Sequence, residues 1–354
     1  MTQARKRQLP IAEPPIQGFL HHAYTLAIGA HYAEFYPWFY SNYIQLRCYK
    51  DIANNMHHDY LNFYNYDLAK DLFPWLTIEK ISREVYAKGF GDLSSFICDC
   101  MDSDYYLYLF ADKYYLPGRD EYQTRHFIHD HFFYGYDKDE RQFDFIGFDN
   151  RGLFRRSPIA FDDLDNAYNM ANPSHSWQTY LFMLKYNPNY RSALDLQLVI
   201  DLLDDYLLSR NTSERFRMYK QPIDAVFGLE VYTKLEEYFE MLGAGEIRSD
   251  VRGVHLVHEH KKCMLDRLRY MESEGFLHAS DELSSAYSQI AAQAHSMKLS
   301  LMKFARMKDK EWVKSVLTLI QQMKASEKLV LEQVLDKLQA RETRTAVSSS
   351  GSLV

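Results

Sequence analysis

The apolar residues of this chain change period once, and that change restricts the folds open to it. After about residue 190 they recur at every third or fourth position over long stretches, the spacing of one buried helix face. Before it they fall in short mixed segments broken by Pro and Gly. The spacing predicts helices over 193–209, 223–242, 254–273, 283–304 and 311–338. In the last, Val313, Val316, Ile320, Met323, Val330 and Val334 form the stripe, and Glu327 interrupts it. Ile290, Ala294, Met297, Leu301 and Phe304 make the stripe of the helix before, so the two suit an antiparallel hairpin. The turn-rich Asn187-Pro188-Asn189 marks the division. We therefore expect an α+β domain over 1–187, an all-helical domain over 188–344 and a disordered Ser-rich tail over 345–354.

Within the first part, residues 19–31, 41–48 and 76–87 read as helices, the last with Thr77 as its N-cap. From Asp104 the pattern turns aromatic and β-like, with strands expected over 105–110, 126–136 and 142–148. A further strand over 153–159 ends at Pro158, and Asp162-Asp163 opens a helix toward Met170. Aromatic residues concentrate here: 22 of the 28 Tyr lie in residues 1–190. Core packing is their default role, and lining an apolar channel is the alternative.

Charge and cysteine usage narrow the function class. The 354 residues carry 41 Lys+Arg against 48 Asp+Glu, a net charge of −7 that disfavours a general nucleic-acid binder. No stretch approaches the roughly 20 apolar residues of a membrane span. The basic segment from Met1 to Pro10 is followed by His21 and His22, where a signal peptide needs an apolar run. Four scattered cysteines read as reduced thiols, so the expected location is the cytoplasm.

The strongest site signal is His126-Phe127-Ile128-His129-Asp130-His131, followed after a polar turn by Phe145-Ile146-Gly147-Phe148-Asp149-Asn150. If the turn is Asp137 to Glu140, Tyr136 faces Arg141 and His126 faces Arg151. Asp149 then sits on the same face, at the roughly 7–8 Å of a diagonal neighbour, close enough to orient the imidazole. A register shifted by one brings Asn150 there instead. Either partner would hold a histidine base in one tautomer, the logic of Ser-His-Asp and Cys-His-Asn sites. A strand-end histidine beside an unrelated turn aspartate is the plain structural alternative.

The run from Ala111 through Leu116-Pro117-Gly118-Arg119, then His126-Phe127-Ile128-His129-Asp130, Tyr134-Gly135-Tyr136-Asp137 and Gly147-Phe148-Asp149-Asn150, resembles the butirosin biosynthesis protein H family. The resemblance is best over about 105–170; Glu259-His260-Lys261-Lys262 with Met264 and Arg267, and Ile44-Gln45-Leu46, also look familiar from it. It implies a papain-like α+β domain, related to bacteriocin-processing cysteine peptidases, with His126 and Asp149 in the peptidase positions. It implies acyl or aminoacyl transfer from a carrier-protein thioester to a small-molecule amine in bacterial secondary metabolism. The phosphopantetheine arm would carry the substrate, and no separate cofactor is expected.

One departure bears on mechanism. Papain-like enzymes place a Cys at the start of an early helix, where the helix N-terminus lowers its pKa. The corresponding stretch here is Gln17-Gly18-Phe19-Leu20-His21-His22-Ala23. Cys48, expected inside a helix, and Cys263 read as buried structural cysteines, and Cys98-x-Cys100 lacks zinc-knuckle spacing. Two readings remain. In one, His126 is a general base acting directly on the thioester, with His21 or His22 as a second base or oxyanion donor. In the other, the site is catalytically silent and the chain is an accessory binding protein.

Two runs share the spacing His-x-x-His-x-His, at 126, 129, 131 and at 255, 258, 260. Neither matches H-E-x-x-H, so no bound metal is expected. The Gly89-Phe90-Gly91 fragment is not framed as a dinucleotide fingerprint. Residues 297–344 hold 11 basic and 6 acidic side chains, either a solvated helix face or a docking face for an acidic carrier protein.

Overall fold

The computed structural model describes residues 4–56, 59–64, 73–218, 220–307 and 311–350. Along the described chain the strands are β1 (Lys6–Gln8), β2 (Leu46–Tyr49), β3 (Leu61–Phe63), β4 (Leu76–Ser82), β5 (Tyr106–Asp112), β6 (Ile128–Asp137), β7 (Gln142–Phe148), β8 (Phe154–Ala160), β9 (Tyr180–Tyr186) and β10 (Ala225–Phe227). The helices are α1 (Leu20–Gly29), α2 (Phe35–Asn42), α3 (Ile52–Asn55), α4 (Arg83–Gly89), α5 (Leu93–Asp102), α6 (Phe161–Asn169), α7 (Leu196–Leu207), α8 (Val231–Ala244), α9 (Val251–Ser273), α10 (Leu283–Met307) and α11 (Glu311–Ser350). The chain is thus mixed α+β with a predominantly helical C-terminal part.

It divides into two compact units, and neither is one continuous segment. The first comprises Met1–Phe35 and Asp71–Arg191, the second Tyr36–Lys70 and Ser192–Val354. The expected division near 187 lies close to the last crossing, but residues 36–70 belong with the C-terminal part.

The first unit is built on an antiparallel sheet in the order β4-β9-β5-β6-β7-β8. β6 is long enough to take two partners on one edge: β5 against Ile128 to Phe133 and β1 against Gly135 to Asp137. The expected hairpin of β6 and β7 forms in a different register. Tyr136 faces Phe143 and Asp137 faces Gln142, so the turn is Lys138 to Arg141, with Arg141 in the left-handed region at φ 50°. The Asp137 carboxylate accepts from the backbone N–H of Asp139 and Glu140, each at 3.1 Å, and fixes that shifted turn. A bulge between Phe133 and Gly135 then slips the register again. Gly135 is required there, because a Cβ would meet Asp144 Oδ2 at 2.5 Å and the Arg7 carbonyl oxygen at 2.8 Å.

Three expected helices are partly strands, one of them in this unit. Residues 76–82 form β4, paired along its length with β9 from Leu76↔Tyr186 to Ser82↔Tyr180. The helix starts only at Arg83, and its N-cap is Ser82, whose Oγ accepts from Val85 N at 3.2 Å, rather than Thr77. Sheet pairing has overridden a weak helical pattern. Pro158 does not end β8; it sits inside it, tolerated because β8 is an edge strand. Aromatic side chains fill the core: Tyr24 of α1 stacks on Phe132 at 5.2 Å and meets Tyr108 edge-on at 5.5 Å.

In the second unit, residues 46–49 form the middle strand of a small sheet, β10-β2-β3, where a helix over 41–48 was expected. Cys48 therefore sits in a strand, although fully buried as anticipated. β10 likewise replaces the start of the helix expected over 223–242. The C-terminal part is therefore helical but not all-helical. α10 and α11 pack on one another as the periodicity predicts. α11 runs past Leu338 to Ser350, so the part of the expected tail up to that residue is helical; residues 351–354 lie outside the described ones.

Candidate active site

Histidines, tyrosines and carboxylates gather where β5 ends, β6 begins and α1 starts. Asp112 is the last residue of β5 and is almost fully buried. Its Oδ1 accepts from the backbone N–H of Tyr114 at 3.1 Å and of Phe127 at 2.9 Å. Its Oδ2 lies 2.6 Å from Nδ1 of His126, in the loop leading into β6. The carboxylate is therefore locked by two amides, and its remaining oxygen accepts the Nδ1 proton of the imidazole. The His126 side chain is 65% exposed, against 3% for Asp112, and its ring stacks on Tyr114 at 4.3 Å. In the neutral ring, a carboxylate on Nδ1 selects the tautomer whose Nε2 carries the lone pair, the tautomer a general base needs.

The orienting group expected for His126 was Asp149 or Asn150, and neither takes that role. Asp149 closes its own turn: Oδ1 accepts from the N–H of Arg151 at 2.8 Å and Leu153 at 2.9 Å, and Oδ2 pairs with Arg155 at 2.5 Å. The Leu153 amide above all, with the Arg151 amide and the Arg155 charge, holds Asp149 below the usual carboxylate range despite burial. Asn150 lies exposed in the same turn. The assumed register was off by two residues at the turn, and β7 pairs with β6 only from Phe132 onward. On the other edge, β5 pairs as far as Asp112↔Ile128, which brings Asp112 to His126. The Asp112 signal was present in sequence as an aspartate closing an aromatic strand, but it lay in the preceding strand.

A second acid–imidazole pair stands beside the first. His129 Nδ1 is 2.7 Å from Asp130 Oδ1, and Tyr108 donates its hydroxyl to Asp130 Oδ2 at 3.1 Å. The Tyr24 hydroxyl donates to the Asp130 carbonyl at 3.2 Å, tying α1 to this point. Burial pushes the Asp130 carboxyl up, but His129, with His21 and His131 behind it, outweighs burial and holds it well below the ordinary range. His21 and His22 lie in the first turn of α1 with ring centroids 4.5 Å apart, and His22 is buried. His21, expected to assist His126, acts on the Asp130 carboxylate.

His131 is buried and donates Nδ1–H to the His129 carbonyl at 3.0 Å; burial, then the Lys113 and Arg119 charges, keep it neutral. The three histidines 126, 129 and 131 thus have separate partners. His260 of the second run donates Nε2–H to the Ile44 carbonyl at 2.8 Å. No group of three or more potential metal ligands occurs among the described residues.

The cysteines sit apart from this chemistry. Burial pushes Cys48, Cys98 and Cys100 each up to about 12, and raises Cys263 as well. No helix among the described residues is long and apolar enough to cross a membrane. Compared with models of known protein families and with curated protein sequences, the chain matches none.

Proposed function

We propose that the first unit is a papain-like domain of the butirosin biosynthesis protein H type, and that it catalyses acyl or aminoacyl transfer from a carrier-protein thioester to a small-molecule amine. The observation that carries the reading is the 2.6 Å contact between exposed His126 and buried, amide-locked Asp112. A thioester is already activated, so a histidine base without a thiolate nucleophile can suffice, contributing about 10²–10⁴-fold. The raised cysteine thiols favour this direct route over an acyl-enzyme. The amine nitrogen attacks the thioester carbonyl while His126 Nε2 takes its proton. Asp112 stabilises the imidazolium. The C–S bond then breaks, the imidazolium protonates the departing thiolate, and the products are an amide and the free carrier thiol.

The test is amide formation by purified protein with aminoacyl-loaded carrier and amine, followed by mass spectrometry. His126→Ala is expected to lower the rate by about 10²-fold or more. A His126→Ala variant with unchanged turnover would sink the reading and favour a catalytically silent accessory protein, the alternative in which only partner-binding faces matter.

A further inference from the structure

A cavity of about 430 Å³ lies in the first unit between α4, the start of α5 and α6, and none of the residues of the candidate active site lines it. That volume suits a small molecule. One wall carries Arg83 and Tyr86 of α4, another Asp165 and Tyr168 of α6, with Asp92 and Leu93 where α5 begins.

Arg83 supplies a positive charge that no acid answers. Its guanidinium stacks on the Tyr168 ring, 3.7 Å from the centroid, and donates to the carbonyls of Phe110 at 3.0 Å and of Tyr168. Both acceptors are neutral, and among the described residues no carboxylate lies within ion-pair distance of it. Two of its five N–H donors are used, so three remain.

The carboxylates of the same cavity have no cation. Asp165 Oδ1 accepts from the Ser94 hydroxyl at 3.0 Å, and Asp92 Oδ1 caps α5 by accepting from Ser95 N at 2.8 Å. Neither has an ion-pair partner among the described residues. Burial raises the Asp165 carboxyl, the Ser94 hydroxyl lowers it, and Asp92 and Asp162 raise it further. Glu84, the remaining acid of the wall, pairs with Lys88 at 2.5 Å. The buried Tyr168 hydroxyl lacks a hydrogen-bond partner among the described residues, an unmet need the chain itself does not fill.

The cavity thus holds unpaired charge of both signs that does not meet across it. A simple amine would leave Arg83 unanswered, and a simple acid would leave Asp165 so. A ligand carrying an anion and a cation a few ångströms apart satisfies both, and the guanidinium fork suits a carboxylate. The apolar part of the wall is aromatic: the Tyr86 ring meets Phe96 edge-on at 5.1 Å and Tyr168 edge-on at 5.9 Å, beside buried Leu93.

We infer that this cavity binds a free α-amino acid with a large apolar side chain, its carboxylate on Arg83, its ammonium on Asp165 and its side chain against Tyr86 and Leu93. The inference does not rest on the transfer reading, and its test reads binding alone.

The experiment is calorimetric titration of the full-length protein with L-phenylalanine, L-leucine, phenethylamine, which lacks the carboxylate, and hydrocinnamate, which lacks the ammonium. L-phenylalanine should bind about tenfold or more tightly than either analogue, the weight of one charge-assisted hydrogen bond. Arg83→Gln should abolish its advantage over phenethylamine, and Asp165→Asn its advantage over hydrocinnamate. Melting curves check that each variant folds, and the analogue series on the unsubstituted chain judges the inference without any variant. No binding of either amino acid overturns it, as does equal binding of L-phenylalanine and either analogue, or an advantage unchanged in either folded variant.

Discussion

Asp112 and Asp149 illustrate how two aspartates acquire opposite roles from their neighbours. Each accepts two backbone N–H groups on Oδ1, and what differs is the partner of Oδ2: an exposed imidazole for Asp112, a guanidinium for Asp149. Asp112→Asn should therefore lower transfer about as far as His126→Ala, because the amide can present an N–H to Nδ1 and reverse the tautomer. Asp149→Asn should leave turnover within a few-fold and lower the melting temperature through its turn. Parallel rate and melting measurements on the two variants check this, and equal rate losses would contradict it. His126 was legible from its run of site residues. Its partner was not, because it came from a strand whose pairing depends on where β5 stops.

At the level of elements, the oddity in the α11 stripe has a physical cause. Glu327, fully buried, pairs with the equally buried Lys261 of α9 at 2.8 Å. It also accepts hydroxyls from Tyr206 at 3.0 Å and Tyr232 at 2.8 Å, and one from Tyr287. Half of the six tyrosines beyond residue 190 thus serve one carboxylate. Periodicity exposed Glu327 as an interruption, but nothing in a one-dimensional pattern pairs it with a lysine two helices earlier. Glu327→Gln leaves Lys261 without its counter-charge, and denaturant unfolding should report a loss of about 3–5 kcal/mol. Glu332→Gln, on an exposed pair with Lys328, should cost under about 1 kcal/mol. Similar losses for both would contradict the role given to the buried pair.

The α9–α10 pair carries a pH dependence of its own. His258 faces His255 and Glu259 of its own helix and His295 and Lys298 of α10; burial first, then Lys298, His295 and His255, push it down to about 4. The unfolded chain binds that proton near 6.5, so stability is lost as pH falls from about 6.5 toward 4. The melting temperature should drop across that window, and His258→Gln should reduce the slope. An unaltered slope would contradict the account. The runs that sequence pattern misread, 41–48, 76–82 and the start of 223–242, are those whose backbone found sheet partners far along the chain: β2 with β10, and β4 with β9.

For the whole molecule, the division near 190 was visible in the periodicity, but the membership of residues 36–70 was not. Those residues supply much of the polar satisfaction of the second unit. Buried Arg267 donates to the carbonyls of Tyr40 and Tyr43, each at 2.6 Å, and His260 to that of Ile44. A fragment of residues 188–354 would leave those donors unpaired and β10 without β2. It should therefore lack a cooperative unfolding transition, which a circular dichroism melt would detect; a sharp transition would show that residues 36–70 are dispensable.

The proposed chemistry depends on His126 being held by Asp112, and nitrogen-15 spectra of the histidine rings in the full-length protein test that directly. His126 should carry its proton on Nδ1 with a bare Nε2, lose that tautomer in Asp112→Asn and keep it in Asp149→Asn. A proton on Nε2 in the unsubstituted chain, or a tautomer that follows Asp149 and ignores Asp112, would contradict it.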